Sequence, residues 1–410
     1  MIWPVAVALT VLAPTAALTV TAGKLGAPDI STRESAARSL FAAGKRAVAT
    51  LTAAAKSPNP EVRRRAADLL DRLEADRLGG PTLVSVHADR RPLSDIAADL
   101  QRQTGYPLTL SDNAGPIPVT LHRDRVPFWA AVDALCEAGG LAANVQDDAR
   151  VALFPADAAD PFVCYAGPFR VAATGINAGQ HRQLAGLPRK GLPAAGPAPL
   201  HLSFTLSAEP KAAVVGVGQP TVFAADDDRG LSLKPAPEAE RASYYPPAVG
   251  HRALVHGFAV GLHRPDRGGT VIRRLRGTVP VAVLAGTAPD VVLADPTAGR
   301  LVRGKASDLT VKSLAEADGL LTLEVTVVRT AAAADGWQAG LPQQLELVAA
   351  DGTPWAFAGV ASQTSSPQSS TLAVQFRPPT TGAKPARLTL VEWRTVTREV
   401  VFEFADIPLP

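Results

Sequence analysis

The sequence predicts a multidomain α+β chain, with helices first, a small duplicated strand-helix-strand domain next and two antiparallel β-sandwiches last. Three observations carry that reading. Residues 31–78 show apolar residues at helical spacing between capping signals. Residues 82–154 contain the same pattern twice, offset by 35 positions. From 158 to the end, short runs alternate apolar and polar residues between Asp-Gly and Pro-rich turns, the pattern of half-buried strands.

The opening run MIWPVAVALTVLAPTAALTVTAGK has no charged side chain before Lys24 and ends in the small residues Val20, Thr21 and Ala22. Residues 1–22 are expected to be a signal peptide. An uncleaved anchor is the alternative, because the run is long enough to span a bilayer and lacks a basic start. Arg, Asp or Pro interrupts every later apolar run, so any membrane attachment is expected only through this segment. A periplasmic or cell-envelope location follows. The length suits about two to four domains, and the net charge of +3 is spread along the chain, which selects no acidic partner and no nucleic acid.

In the first helical region, Ser31 and Glu34 have the spacing of a capping box, and Asn59 followed by Pro60 offers a second helix start. Val62, Ala66, Leu69, Leu70 and Leu73 mark one face. The run GKRAVATLTAAAKSPNPEVRRRAADLLDRLEA resembles a HEAT-type helical repeat. One repeat cannot bury its own faces, so 31–78 is expected to pack on neighbours or act as a short stalk.

The segment RRPLSDIAADLQRQTGYPLTL places Leu93, Ile96, Ala97 and Leu100 at helical spacing between Pro92 and Gly105. Val84/Val119, Val86/Leu121, His87/His122, Asp89/Asp124, Arg90/Arg125, Pro92/Pro127, Leu93/Phe128, Leu100/Leu135 and Gly105/Gly140 correspond across the offset of 35. Val84, Val86, Val119 and Leu121 are expected to face inward, and Ser85, His87, Thr120 and His122 outward. Leu108 and Leu110 end the first copy, Leu141 to Val145 end the second, and Val151 to Phe154 add a strand. Neither copy buries both faces alone, so the two are expected to close on one core.

These residues resemble the short N-terminal domain of secretins and TonB-dependent receptors, a periplasmic βαβ duplication. The family pattern of a strand, a polar link, "PL..IA..L....G" and a strand is met by Pro92, Leu93, Ile96, Ala97, Leu100 and Gly105, and in looser form from Pro127 to Gly140. The resemblance implies contacts with other periplasmic proteins. No barrel or secretin core follows, so the pore and transport roles of the family do not carry over.

Strands are expected at 200–206, 221–226, 253–262, 319–327, 344–357, 370–376 and 399–404. The order PFRVAA, LHLSFTL, AADDDRGLSL resembles the order DLTVKS, LTLEVTV, AADGTPWAF. Two related immunoglobulin-like sandwiches are therefore expected, at 158–290 and 291–410. Residues 185–199 read as a proline-glycine loop.

No HExxH, GxSxG, phosphate-loop or paired CxxC motif occurs, so metalloprotease, serine-hydrolase, nucleotide and zinc-ribbon chemistry lack their first residues. GVGQP (216–220) reads as a hairpin turn. Asp226, Asp227 and Asp228 lack a glutamate at the twelfth loop position and read as a turn, not a calcium loop. His251, His256 and His263 are badly spaced for one metal. His87 and His122 read as solvated or hydrogen-bonded strand residues. The clusters Arg63 to Arg65, Arg90 with Arg91, and Arg273, Arg274 and Arg276 read as solvated faces. Cys136 lies on an apolar stripe with Phe128, Val132 and Leu135 and is expected to be a buried thiol; whether it pairs with Cys164 is left open. Trp129, Trp337, Trp355 and Trp393 read as core residues.

No catalytic, cofactor-binding or metal-binding residue is therefore assigned. The expected role is a non-enzymatic envelope protein that holds or recognises other envelope proteins. A carbohydrate-binding role through exposed tryptophans, Trp355 or Trp393, is the alternative. A hydrolase built on dispersed carboxylates such as Glu209 and Asp227 is the second.

Overall fold

The computed structural model describes residues 12–146, 150–156, 160–178, 198–234, 250–265, 268–331 and 336–410. The expected leader therefore lies outside the described residues up to residue 11, and the expected loop at 185–199 lies outside them up to 197. The fold is mixed α+β and multidomain. The chain divides into two compact units, Met1–Gly80 and Pro81–Pro410.

The first unit is helical: α1 (Leu12–Gly23), α2 (Ile30–Ala43), α3 (Val48–Ala54) and α4 (Pro60–Gly79). The cap of α2 differs from expectation. Asp29, not Ser31, is the N-cap, and its carboxylate accepts the Thr32 N–H at 2.7 Å and the Ser31 hydroxyl. Hydrogen bonds from Ser31 and Thr32 hold the Asp29 carboxyl well below the usual carboxylate range. A carboxylate matches the unpaired N–H groups of a helix start better than a neutral hydroxyl does. Glu34 is thereby released from a capping box and pairs with Arg65 of α4 at 2.9 Å. Asn59 caps α4 as the sequence implies, accepting from the N–H of Glu61 at 3.0 Å. Leu25, Leu40, Leu51, Ala66, Leu69 and Leu73 form one buried cluster, joined by Leu18 and Ala22 of α1. Among the described residues no helix is long and apolar enough to cross a membrane.

The second unit begins with the duplication. β1 (Leu83–Pro92), α5 (Leu93–Thr104) and β2 (Leu108–Leu110) form one copy, and β3 (Pro118–Pro127), α6 (Phe128–Gly139) and β4 (Leu141–Val145) form the other. β1 pairs with β3 antiparallel, from Leu83 opposite Pro127 to Pro92 opposite Pro118. β5 (Val151–Pro155) lies between β2 and β4. The stripes Leu93, Ile96, Leu100 and Phe128, Val132, Leu135 share one buried cluster with Val84, Val86, Val119 and Leu121. Each helix starts after a proline and stops at a left-handed glycine, Gly105 (φ 73°) and Gly140 (φ 64°), where a side chain is strained.

The remaining strands are β6 (Val163–Ala166), β7 (Phe169–Ala178), β8 (Ala198–Ala208), β9 (Val214–Val217), β10 (Thr221–Asp227), β11 (Val255–Arg264), β12 (Val271–Ala294), β13 (Leu301–Arg303), β14 (Ser307–Ala317), β15 (Leu320–Arg329), β16 (Leu345–Ala349), β17 (Ala356–Ser365), β18 (Ser369–Arg377) and β19 (Pro385–Pro408). They form three sheets, in the orders β11-β8-β7-β6, β13-β14-β15-β18-β17 and β10-β12-β19-β16 with β9 also on β12. The third sheet serves both of the others. Phe402 and Phe404 at one end of it lie 5.7 and 5.4 Å from the ring of Phe204 on β8. At the other end Val291, Leu293, Leu388 and Leu390 join a buried cluster with Val311, Leu323, Val325 and Val374.

The expected division at 290/291 is accordingly corrected. β12 runs through it without a break, and residues 398–408 return to pair with 271–281 in the first half. The expected strand at 344–357 is also two strands, β16 and β17, separated by a turn with Gly352 at φ 85°.

Two polar networks fix the duplicated domain to the first sheet. Glu209 is fully buried just after β8 and accepts the Thr82 N–H at 2.9 Å, the Tyr106 hydroxyl at 2.9 Å and the Lys211 ammonium at 3.4 Å. Arg170 of β7 pairs with Asp133 of α6 at 2.8 Å and with Asp160 at 2.9 Å, while the Tyr165 hydroxyl donates to Asp133. Removing a buried charge strands its partners, so Glu209→Ala is expected to cost about 3 kcal/mol. The check is the urea midpoint of unfolding against wild type.

Candidate functional site

The most organised polar surface is the β1/β3 ribbon. Its sequences, VSVHADRRP and VTLHRDRVP, put Val84, Val86, Ala88, Val119 and Leu121 into the core and leave His87, Asp89, His122 and Asp124 exposed. His87 lies directly opposite His122, its own equivalent across the offset of 35, so a local two-fold axis passes between them. Their ring centroids are 6.1 Å apart. Each imidazole reaches the other strand's aspartate: His87 Nε2 to Asp124 Oδ1 at 3.0 Å, and His122 Nε2 to Asp89 Oδ1 at 3.0 Å.

The ribbon carries a bulge on each strand, centred on Arg90 (φ 50°) and Arg125 (φ 47°). An extra residue leaves an N–H outside the ladder. Here each is taken by the opposite strand's hydroxyl: Arg90 N–H donates to Thr120 Oγ1 at 3.1 Å, and Arg125 N–H to Ser85 Oγ at 3.0 Å. Ser85 and Thr120 therefore hold the bulges, a role that the duplicated Ser/Thr and Arg positions signalled only in outline.

The ribbon has two strands and hence two outer edges. At the β1 edge the Gln103 side chain of α5 lies against Ser85. The Ser85 N–H donates to Gln103 Oε1 at 3.0 Å, and Gln103 Nε2 donates to the Ser85 carbonyl at 2.8 Å. One side-chain amide thus makes the two bonds that one residue of a neighbouring strand makes. A hollow of about 340 Å³ follows this edge, lined by Val86, Ile96, Leu100 and the Arg91–Asp99 ion pair among others. Gln103 was not singled out in the sequence, because its partner is a backbone group 18 residues away.

The other sequence candidates are dispersed. Glu209 and Asp227 occupy separate networks: Glu209 has the partners named above, and Asp227, also buried, accepts the N–H groups of Gly269, Arg229 and Leu231. Asp226 and Asp227 end β10, paired with Arg274 and Ile272 of β12, and only Asp228 begins the turn that reaches Gly230 (φ 77°), where Asp228 accepts the Thr270 N–H. GVGQP leads from β9 to β10 and the Gly218 N–H donates to the Pro280 carbonyl. His251 stacks on His256 at 5.4 Å, and His256 Nε2 lies 3.2 Å from the Val214 carbonyl. Burial lowers the basicity of His256. Among the described residues no three metal-ligating side chains gather. The arginine clusters are largely paired: Arg65 with Glu61 and Glu34, Arg273 with Asp406, and Arg274 with Glu403. Trp129, Trp337 and Trp355 are buried and Trp393 is half-buried.

No protein-family model and no curated protein matches the chain. A crystal structure described as the conserved domain protein from Bacillus anthracis aligns over 58% of this chain and 88% of its own, at 9% identity and a TM-score of 0.16. A likeness of that size carries no argument.

Cys136 and Cys164 are both free thiols. Burial, and then the charge of Asp133, push the Cys136 thiol up to about 12. At pH 8 only about one molecule in ten thousand then carries the thiolate, the form that reacts. Native protein is therefore expected to resist iodoacetamide at Cys136 and to be labelled there in urea, as read by peptide mass spectrometry.

Proposed function

We propose that the protein is a non-enzymatic scaffold of the cell envelope that holds other proteins by adding their extended segments to its open sheet edges. The observation that supports this most directly is the Gln103 amide on Ser85. An unpaired edge presents N–H and C=O groups that an incoming strand can take up, and this edge already binds an amide in that manner. The resemblance of residues 82–154 to the secretin and TonB-receptor N-terminal domain supports the same reading, since that resemblance implies contacts with other periplasmic proteins. A signal-like opening segment agrees with an envelope location.

A second reading, glycan binding, has one observation in its favour. A hollow of about 560 Å³ at one end of the last sandwich is lined by Glu316, Asp318, Arg377 and the buried Trp355 among others. Carboxylate and guanidinium groups beside an aromatic side chain suit a polyhydroxylated ligand.

A photo-crosslinking amino acid placed at exposed positions 87, 120 and 357 of the full chain, expressed in a bacterial envelope, separates these readings. Discrete protein adducts are expected. Adducts from none of the three positions, together with retention on immobilised glycans that Asp318→Asn and Arg377→Ala abolish, would replace the scaffold reading with the second one.

A further inference from the structure

The two outer edges of the ribbon are related by the local two-fold, yet they are not finished alike. Ser85 on β1 turns its N–H and C=O away from β3 to reach Gln103. Thr120, 35 residues on, occupies the equivalent place on β3 and is exposed. The same symmetry directs its N–H and C=O outward, away from β1. The residue equivalent to Gln103 is Ala138, whose methyl group has neither donor nor acceptor. The charged positions Arg91 and Asp99 become Val126 and Ala134, both half-buried against the core, and Ala138 is exposed. The β1 edge is satisfied at Ser85 from within the chain; on the β3 edge Arg123 takes the His122 carbonyl, and Thr120 is left without a side-chain amide beside a strip of small apolar side chains.

We infer that the β3 edge at Thr120 is the docking position for an extended peptide segment of a partner protein, added as a third strand. This rests on the scaffold reading above and narrows it to one edge. The occupant's chemistry is set by three features. Gln103 on the equivalent edge shows that an amide donor and acceptor together satisfy the strand residue there. The Val126, Ala134 and Ala138 strip takes an apolar side chain where the first copy has an ion pair. Arg123 and Arg125 on the same strand have no carboxylate partner among the described residues, and the Arg123 guanidinium donates only to the His122 carbonyl, at 2.9 Å. An acidic side chain in the incoming strand gives these guanidinium groups a counter-charge. Pro118 and Pro127 close the strand at both ends because neither has an N–H, so the docked segment is short, about four residues.

The difference between the copies supplies the test. Ala138→Gln should install the missing clip on an exposed helix position, where glutamine is well tolerated, and Gln103→Ala should remove the existing one. A phage-displayed library of random decapeptides is panned on the full chain, and selected peptides are titrated by fluorescence polarisation against wild type and both variants. The expected peptides combine an apolar and an acidic residue, bind Ala138→Gln at least tenfold more weakly, and bind Gln103→Ala no more weakly than wild type. Peptide binding also slows amide exchange at Thr120. Equal affinity for Ala138→Gln at an unchanged melting temperature, an unprotected Thr120 amide, or failure to select any peptide overturns the assignment. Protein crosslinks from position 357 but not from 120 would sink this edge alone and leave the scaffold reading standing.

Discussion

A strand-helix-strand unit has one buried stripe on its helix and one buried face on its strand, and it cannot cover both by itself. That constraint organises the amino-terminal part of the second unit. Two copies solve it by pairing β1 with β3 about a local two-fold, so that both helical stripes and the inward residues of both strands enclose one core. The bulges at Arg90 and Arg125, the hydroxyl groups that hold them and the reciprocal His-Asp pairs follow from this symmetry. Each occurs twice because the axis passes between His87 and His122.

The same symmetry exposes where the copies have diverged. Gln103 against Ala138, and Arg91 with Asp99 against Val126 with Ala134, change one outer edge from a closed backbone to an open one. Divergence at Asp133 has another consequence: its carboxylate receives Arg170 and Tyr165, so α6 is tied to the first sheet by an ion pair that Ala98, the equivalent position on α5, cannot make. Both copies thus reach the first sheet, the first through Tyr106 on Glu209 and the second through Asp133 on Arg170.

Much of this was legible in the chain. The duplication could be read because glycine stops, proline starts and the valine alternation survive in both copies, each with a backbone reason for its position. Asn59 with Pro60 was legible for the same reason. Ser31 misled because a hydroxyl at capping distance from Glu34 looks sufficient until Asp29, two residues earlier, offers a charged acceptor. β12, at 24 residues as long as β19, was missed. VIRRLRGTVPVAVLAGTAPDVVLA contains glycine, proline and clustered arginine, which read as turns and a solvated face, whereas β19 supplies pairing along it and Asp406 and Glu403 neutralise Arg273 and Arg274. Gln103 was invisible because its function depends on a bond to backbone, which no side-chain pattern records.

β12 and β19 form one antiparallel ribbon that belongs to both sheet pairs, and the carboxyl-terminal half of β19 supplies Phe402 and Phe404 to the earlier of the two. The earlier sheet pair therefore stays incomplete until residues 398–408, which lie past the strands of the later one, have been synthesised. A product truncated before Arg398 lacks not the tail of the later sheet pair but the strand that pairs with residues 271–281 in the earlier one.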